Sequence, residues 1–118
     1  MDLVYKPLWP VKTDYAIGIC GAGGIVNDAH LPAYRKAGFR IESIYDVDRS
    51  RAEETAVRFE IPRVCDSLSL LAEGVDIVDV AVPAWENERV VEELTQVGVA
   101  LLLQKPLAED WQTALRIV

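Results

Sequence analysis

Gly18-Ile19-Cys20-Gly21-Ala22-Gly23-Gly24-Ile25-Val26 is the stretch on which the fold turns. It continues the apolar run Ala16-Ile17-Gly18-Ile19-Cys20 and opens a segment of helical spacing, the context in which closely spaced glycines cradle a pyrophosphate. Gly21 supplies a tight turn out of the strand, and Gly23 lets the backbone approach an anion with no Cβ in the way. The N–H groups of Gly24, Ile25 and Val26 then face that anion from the positive end of the helix. Because the backbone supplies the donors, no lysine is required and an acidic chain can bind in this way. The third fingerprint position carries Val26 in place of Gly or Ala, which predicts a looser contact between helix and strand. A plain glycine-rich turn at a strand–helix junction is the competing reading.

Outward from this loop the same alternation repeats. Apolar runs recur at Ile41 to Tyr45, Val64-Cys65, Ile77 to Val82 and Val99 to Leu103. They are continuous, as strands covered on both faces should be. Between them Ala52, Ala56 and Phe59 share one helical face, with Ser50 and Glu53 as a capping box and Asp48 as a rival cap. Val90, Val91, Leu94 and Val97 share another. Gly38, Gly74 and Gly98 fall where helices should stop, and Pro32 kinks or restarts the first helix. Strand–helix alternation of this kind predicts an α/β fold: a doubly wound parallel sheet, Rossmann-like, with about five strands.

The two ends read differently. Met1 to Asp14 holds Pro7, Trp9 and Pro10 without either period, and is set apart as an N-terminal extension (residues 1–14), frayed or laid over the surface by Leu8 and Trp9. Residues 15–118 are expected to form a dinucleotide-binding domain. At the far end Glu109-Asp110 opens an amphipathic helix with Trp111, Leu115 and Val118 on one face. The sequence stops within it, before the sixth strand of a full dinucleotide fold. It therefore reads as a fragment or a truncated product.

Composition narrows the partners. The 118 residues carry 12 Lys+Arg against 19 Asp+Glu, a formal charge of −7, and 51% are hydrophobic, enough for one packed core. The acidic balance excludes a sequence-blind nucleic-acid binder and an anionic membrane surface. Cys20 and Cys65 lie far apart without a Cys-x-x-Cys pair, so no metal site or disulfide framework is expected. No apolar run approaches a membrane span, and charges and prolines near the N-terminus break any signal-peptide core. The expectation is a soluble cytoplasmic domain.

Asp46 closes the second strand about 20 residues past the glycine loop, where a carboxylate accepts from the adenosine ribose hydroxyls and repels a 2′-phosphate. NAD is favoured over NADP on that ground, with Arg49 and Arg51 as the residues that argue the other way. The bland reading of Asp46 is a turn residue ending a strand. Val82-Pro83 and Lys105-Pro106 end strands four and five at the carboxyl edge, where ligands bind in such sheets. Asn87 reads as a helix cap. His30, the single histidine, has no Asp or Cys spaced to make a dyad and is assigned to capping, packing or solvent contact. Cys20 reads as a buried, inert thiol; Trp85 and Trp111 belong either to the core or to a partner surface.

The sequence resembles the N-terminal domain of the glucose–fructose oxidoreductase / inositol dehydrogenase / MocA (Gfo/Idh/MocA) family. The resemblance rests on Gly18 to Ile25, Asp28-Ala-His-Leu-Pro-Ala33, Tyr45-Asp46 followed by Arg51-Ala52, Ala81-Val-Pro83 and Lys105-Pro-Leu-Ala108. It implies an NAD(P)-binding domain that precedes a C-terminal α/β domain supplying the substrate contacts and the usual Asp and His. By position, Gly21, Gly23, Gly24 and Ile25 would hold the pyrophosphate and Asp46 the ribose. Val82 and Pro83 would flank the cofactor, with Asn87, Gln104 and Pro106 around the same end. Lys105 would be the catalytic residue, beside the nicotinamide and the reacting hydroxyl. Two departures stand out: the family's Glu-Lys-Pro is Gln104-Lys105-Pro106 here, and a histidine often found four residues after the strand-four proline is Asn87.

The resulting expectation is hydride transfer between NAD(P) and a sugar- or polyol-type carbon. A substrate would be met only with the second domain, and the present chain would bind without turnover. A stand-alone NAD(H)-binding sensor or scaffold is the alternative. An S-adenosylmethionine domain is a third reading, against which Lys105-Pro106 speaks. Self-association is expected as well, because the apolar strand Val99 to Leu103 would leave an open edge.

Overall fold

The ladder of the sheet starts from β1 (Ala16–Cys20), which is buried at every position. The computed structural model describes Leu3 and residues 6–118. Around β1 stand β2 (Arg40–Tyr45), β3 (Arg63–Val64), β4 (Ile77–Val80) and β5 (Ala100–Leu103), in the order β3-β2-β1-β4-β5. Every pairing is parallel. The order reverses beside β1, so connections leave its carboxyl end and that of β4 in opposite directions and open a crevice between them.

Helices cover both faces and divide the core in two. α1 (Leu31–Ala37) and α2 (Arg49–Phe59) lie over one face, where Ile17, Ile19, Val26, Leu31, Ile44 and Ala56 pack. α3 (Leu68–Ala72) and α4 (Ala84–Val97) lie over the other, with Leu71, Val78, Val80, Val90 and Leu94. Alternate residues of β4 thus feed opposite cores, as a strand's period of two requires. α5 (Trp111–Ile117) packs on α4 and joins it through Arg116, whose Nε donates to Glu88 Oε1 at 2.5 Å.

Local signals set most boundaries. Gly38 and Gly98 end α1 and α4 in the left-handed conformation. Asp110 caps α5, accepting from Thr113 N at 2.8 Å. Several expectations are corrected. Asp48, not a Ser50/Glu53 box, caps α2: its carboxylate accepts from Ser50 N, while Glu53 is taken by Arg49 Nε at 2.7 Å. β4 stops at Val80 and not Val82, and β3 falls at Arg63–Val64. Pro32, which has no N–H to give, restarts the helix: a π-helical turn over Val26–His30 precedes α1. Val26 opens that turn fully buried, so no loose contact with the sheet results. Residues 6–14 carry no helix or strand, and Leu8, Trp9 and Val11 are exposed, so they lay nothing over the sheet. Met1, Asp2, Val4 and Tyr5 of the expected extension lie outside the described residues. Val97, expected on the buried face of α4, is half-exposed at the last turn.

Candidate functional site

A cleft of about 510 Å³ lies across the carboxyl ends of β1, β2, β4 and β5. Its floor is the turn after β1. Gly21 has φ +110, and its N–H donates to the Tyr45 carbonyl at 2.7 Å. A Cβ there would fall 2.4 Å from the Ala81 carbonyl oxygen, so the turn needs glycine for conformation and for space. Gly23 differs: a Cβ would meet nothing within 4 Å, because the position opens into the cleft. The bond from Asn27 N to the Gly23 carbonyl, at 3.2 Å, closes the first helical turn. The N–H groups of Gly24, Ile25 and Val26 precede it as first-turn donors.

Asn27 holds this loop from behind. Its Nδ2 donates to the carbonyls of Ala22 and Gly23 at 3.2 and 3.0 Å, and its Oδ1 accepts from Thr55 Oγ1 at 3.1 Å. The glycine turn is thereby pinned to α2. Gly24 faces a neighbouring hollow with Thr55 and Arg58, not the main cleft.

Asp46 stands at the end of β2 with both oxygens engaged by backbone. Oδ2 accepts from Ala22 N at 2.7 Å and Oδ1 from Asp48 N at 2.8 Å. Each oxygen keeps a further acceptor direction, and the carboxylate lines the cleft. Of the two candidate arginines, Arg51 lines the cleft, with Nε 3.8 Å from Asp48 Oδ2. Arg49 does not line it; its guanidinium is bound by Glu53 and Asp66.

On the far side, Val82, Pro83, Gln104 and Lys105 line the cleft with Ile25 opposite. The Gln104 N–H donates to the Val80 carbonyl at 3.0 Å, so the end of β5 is tied to β4 directly below Lys105. Asn87 and Pro106 do not line the cleft. Asn87 is not a helix cap either: Pro83 occupies the cap position, and Asn87 lies inside α4 at 1% exposure. Its Nδ2 donates to the carbonyls of Pro106 and Leu107 at 3.3 and 2.9 Å, which fastens the segment after Lys105 to α4.

Tyr45, Val47, Trp85, Glu86 and Arg89 line the cleft as well, none of them anticipated as site residues. Helical position was the available signal for the last three, since they sit on the turns of α4 that follow Pro83. Trp85 and Trp111 are exposed and neither belongs to a core. Cys20 is wholly buried beneath the glycine turn, and burial pushes its thiol up to about 12. His30 is corrected too: its Nδ1 lies 2.9 Å from Asp79 Oδ2, a partner 49 residues away that no local spacing reveals. No group of three or more metal-ligating side chains, and no helix long and apolar enough to cross a membrane, occurs among the described residues.

The sequence pattern of the Gfo/Idh/MocA oxidoreductase family, NAD-binding Rossmann fold, matches residues 15–118. A putative oxidoreductase, YceM, of Salmonella typhimurium is 38% identical over 103 residues, covering 86% of this chain and 33% of that protein. Inositol 2-dehydrogenase of Corynebacterium glutamicum is 32% identical over 108 residues, covering 86% and 31%. The crystal structure of an oxidoreductase from Thermotoga maritima superposes with a TM-score of 0.83 at 33% identity, covering 89% of this chain and 34% of that one. The WlbA dehydrogenase of Bordetella pertussis, in complex with NADH and UDP-GlcNAcA, has a TM-score of 0.79 at 25% identity, over 88% and 32% of the two chains. KijD10, a 3-ketoreductase from Actinomadura kijaniata in complex with TDP-benzene and NADP, has 0.77 at 26%, over 88% and 33%. The chain thus spans about a third of the relatives it matches. It belongs to the Gfo/Idh/MocA oxidoreductase family and corresponds to that family's NAD-binding Rossmann domain.

Proposed function

We propose that the cleft takes a nicotinamide dinucleotide, NAD in preference to NADP, and orients it for redox exchange with a sugar- or polyol-type hydroxyl or carbonyl carbon. The observation that carries this reading is Gly23, whose missing Cβ leaves open space over backbone donors at a helix start, room that a pyrophosphate would take. When bound, the nicotinamide supplies the hydride chemistry. The chain's own residues bind and orient. Gly23 and Ile25 present N–H groups to the phosphates from the cleft wall, Gly24 does so from the adjoining hollow that Gly23 also lines, and Gly21 sets the turn that aims them. Asp46, held by Ala22 N and Asp48 N, turns its remaining lone pairs to the ribose hydroxyls and its charge against a 2′-phosphate. Val82 and Pro83 flank the nicotinamide end. Lys105 donates to the substrate oxygen or to the nicotinamide carboxamide, with Gln104, Pro106 and Asn87 fixing the corner on which it stands.

The relatives' names favour a sugar or polyol substrate, and the contacts to it belong to the part of those proteins that this chain does not match. The 118 residues are expected to bind the dinucleotide and not to turn it over. Calorimetric titration tests the reading: NADH should bind more tightly than NADPH, and S-adenosylmethionine should not bind. Gly23→Val should fold and lose NADH. NADPH binding as well as NADH would defeat the Asp46 argument and point to Arg51. Normal binding by Gly23→Val would reduce the loop to a turn.

A further inference from the structure

A cluster of ionisable side chains around the buried Asp79 stands beside the nucleotide cleft, and cofactor binding as proposed gives it no role. Asp79, in β4, is 1% exposed and lies on the α1 side of the sheet. Tyr34 Oη donates to Asp79 Oδ2 at 2.8 Å, and His30 Nδ1 approaches the same oxygen at 2.9 Å. Asp79 Oδ1 and His30 Nδ1 have no hydrogen-bond partner, so the imidazole meets the carboxylate by proximity and charge and not by a formed hydrogen bond. A buried carboxylate needs compensation. Among the described residues, His30 is the one basic side chain within ion-pair reach of it.

The cluster borders a second hollow of about 310 Å³, lined by Ala29, His30, Ala33, Tyr34, Asp79 and Gln104. Gln104 lines this hollow and the nucleotide cleft alike. Its N–H is bound to the carbonyl of Val80, the residue after Asp79, and its chain neighbour is Lys105. One residue therefore separates the partly exposed His30 imidazole and the buried Asp79 carboxylate from the corner that carries the lysine.

We propose that His30 and Asp79 are positioning residues for the Gln104–Lys105 corner, and that the proton on His30 tunes nucleotide affinity. The proposal rests on the nucleotide reading of the cleft. With His30 charged, the pair is neutral. Loss of that proton leaves the charge of Asp79 uncompensated behind the corner, where it opposes an anionic dinucleotide. The groups facing His30 are Asp79 from β4, Tyr34 from α1 and the uncharged Gln104 from the end of β5. Burial and the neighbouring Asp79 push the Tyr34 hydroxyl well above the ordinary phenol range, so it keeps its proton throughout the neutral region. Both cysteine thiols are also raised, by burial first. His30 is the single histidine, so its replacement isolates the imidazole's share of any pH response.

The test is the NADH affinity of the 118-residue chain between pH 5.5 and 8, by fluorescence titration, with the His30 ring signals followed by NMR in the same samples. Affinity should fall on the order of tenfold as pH rises, the size expected of one charge acting through roughly 10 Å at an effective dielectric constant of about 20. The ring signals should move when NADH is added. His30→Gln should bind NADH with a flat profile. Should that variant fail to fold, the wild-type profile and ring signals still decide. Binding that is flat in pH, with the His30 signals unmoved by NADH, overturns this inference and leaves the nucleotide reading intact. Absence of NADH binding at every pH overturns both.

Discussion

Gly21→Ala should cost far more than its one methyl group suggests, and the structure allows the size to be worked out. The added Cβ would sit 2.4 Å from the Ala81 carbonyl oxygen, where ordinary contact begins at 3.4 Å. About 1 Å of separation must be found between two backbone segments. Neither segment is free to give it, because Gly21 N is bound to the Tyr45 carbonyl at 2.7 Å and Ala81 N to the Cys20 carbonyl at 2.9 Å. Forcing an alanine to a φ near +110 adds about 1–3 kcal/mol, and the displaced backbone adds a similar amount. The stiffer unfolded chain offsets about 0.4–1 kcal/mol. The net loss is roughly 3 kcal/mol, a large part of the stability of a domain this size, or a fall of roughly 10–15 °C in Tm. Gly23→Ala is the internal control, since a Cβ there meets nothing within 4 Å. Its stability should rise by about 0.4–1 kcal/mol, the unfolded-chain term standing alone. Urea unfolding of both variants, read by circular dichroism, measures the difference. Equal stability of the two would refute the view that Gly21 is demanded by the fold and Gly23 by the ligand.

Asn87→Ala should lower stability by about 1–3 kcal/mol, because the Pro106 and Leu107 carbonyls lose their shared donor, and should weaken NADH binding by loosening Lys105; thermal unfolding and titration read the two effects separately. The Cys20 thiol is raised to about 12 against an ordinary value of 9.0, so its contribution to stability is complete below pH 9 and is lost as pH climbs towards 12. Its alkylation at pH 8 should accordingly be slow until denaturant is added, whereas rapid labelling of the native chain would contradict its burial. Self-association through the outer edge of β5 and the face of α5 is expected, since Leu102, Trp111 and Leu115 are all exposed there and burial at ~25 cal/mol per Å² outweighs screened repulsion. Light scattering at micromolar concentration checks it, and a clean 13.1 kDa species would defeat it.

The sheet was legible because its information is local and redundant. Ile17, Ile19, Ile44, Val78 and Val80 sit in runs too apolar to face water on either side, and buried parallel strands follow. Helix ends were legible where glycine marks them, as at Gly38 and Gly98, but α2 ends on Glu60 at φ 58, with no glycine to signal it. Competition defeated the capping box. Glu53 can reach back to the helix start only if nothing else claims it, and Arg49 does. The alternative cap, Asp48, needs no distant partner and prevails. β4 ends early for a similar reason: Val82 is apolar enough for a strand, yet Pro83 follows and its geometry starts α4.

The site divides along the same line. Gly21, Gly23, Ile25, Asp46, Val82, Pro83, Gln104 and Lys105 were found from sequence and meet in one cleft, because each ends or follows a strand at the same edge of the sheet. Residues that hold those side chains in place were misread or unseen, since their partners are distant in sequence. Asn27 gains its meaning from Thr55, Asn87 from Pro106 and Leu107, and His30 from Asp79. A lone asparagine or histidine on a helix offers only short-range readings, capping or solvation, until the fold brings up a carboxylate or a carbonyl. A place at the cleft is thus written in residue type and strand position, whereas support for that place is written in tertiary pairing. An alanine at Asn87 or a glutamine at His30 should therefore disturb nucleotide binding while leaving every lining residue of the cleft in place.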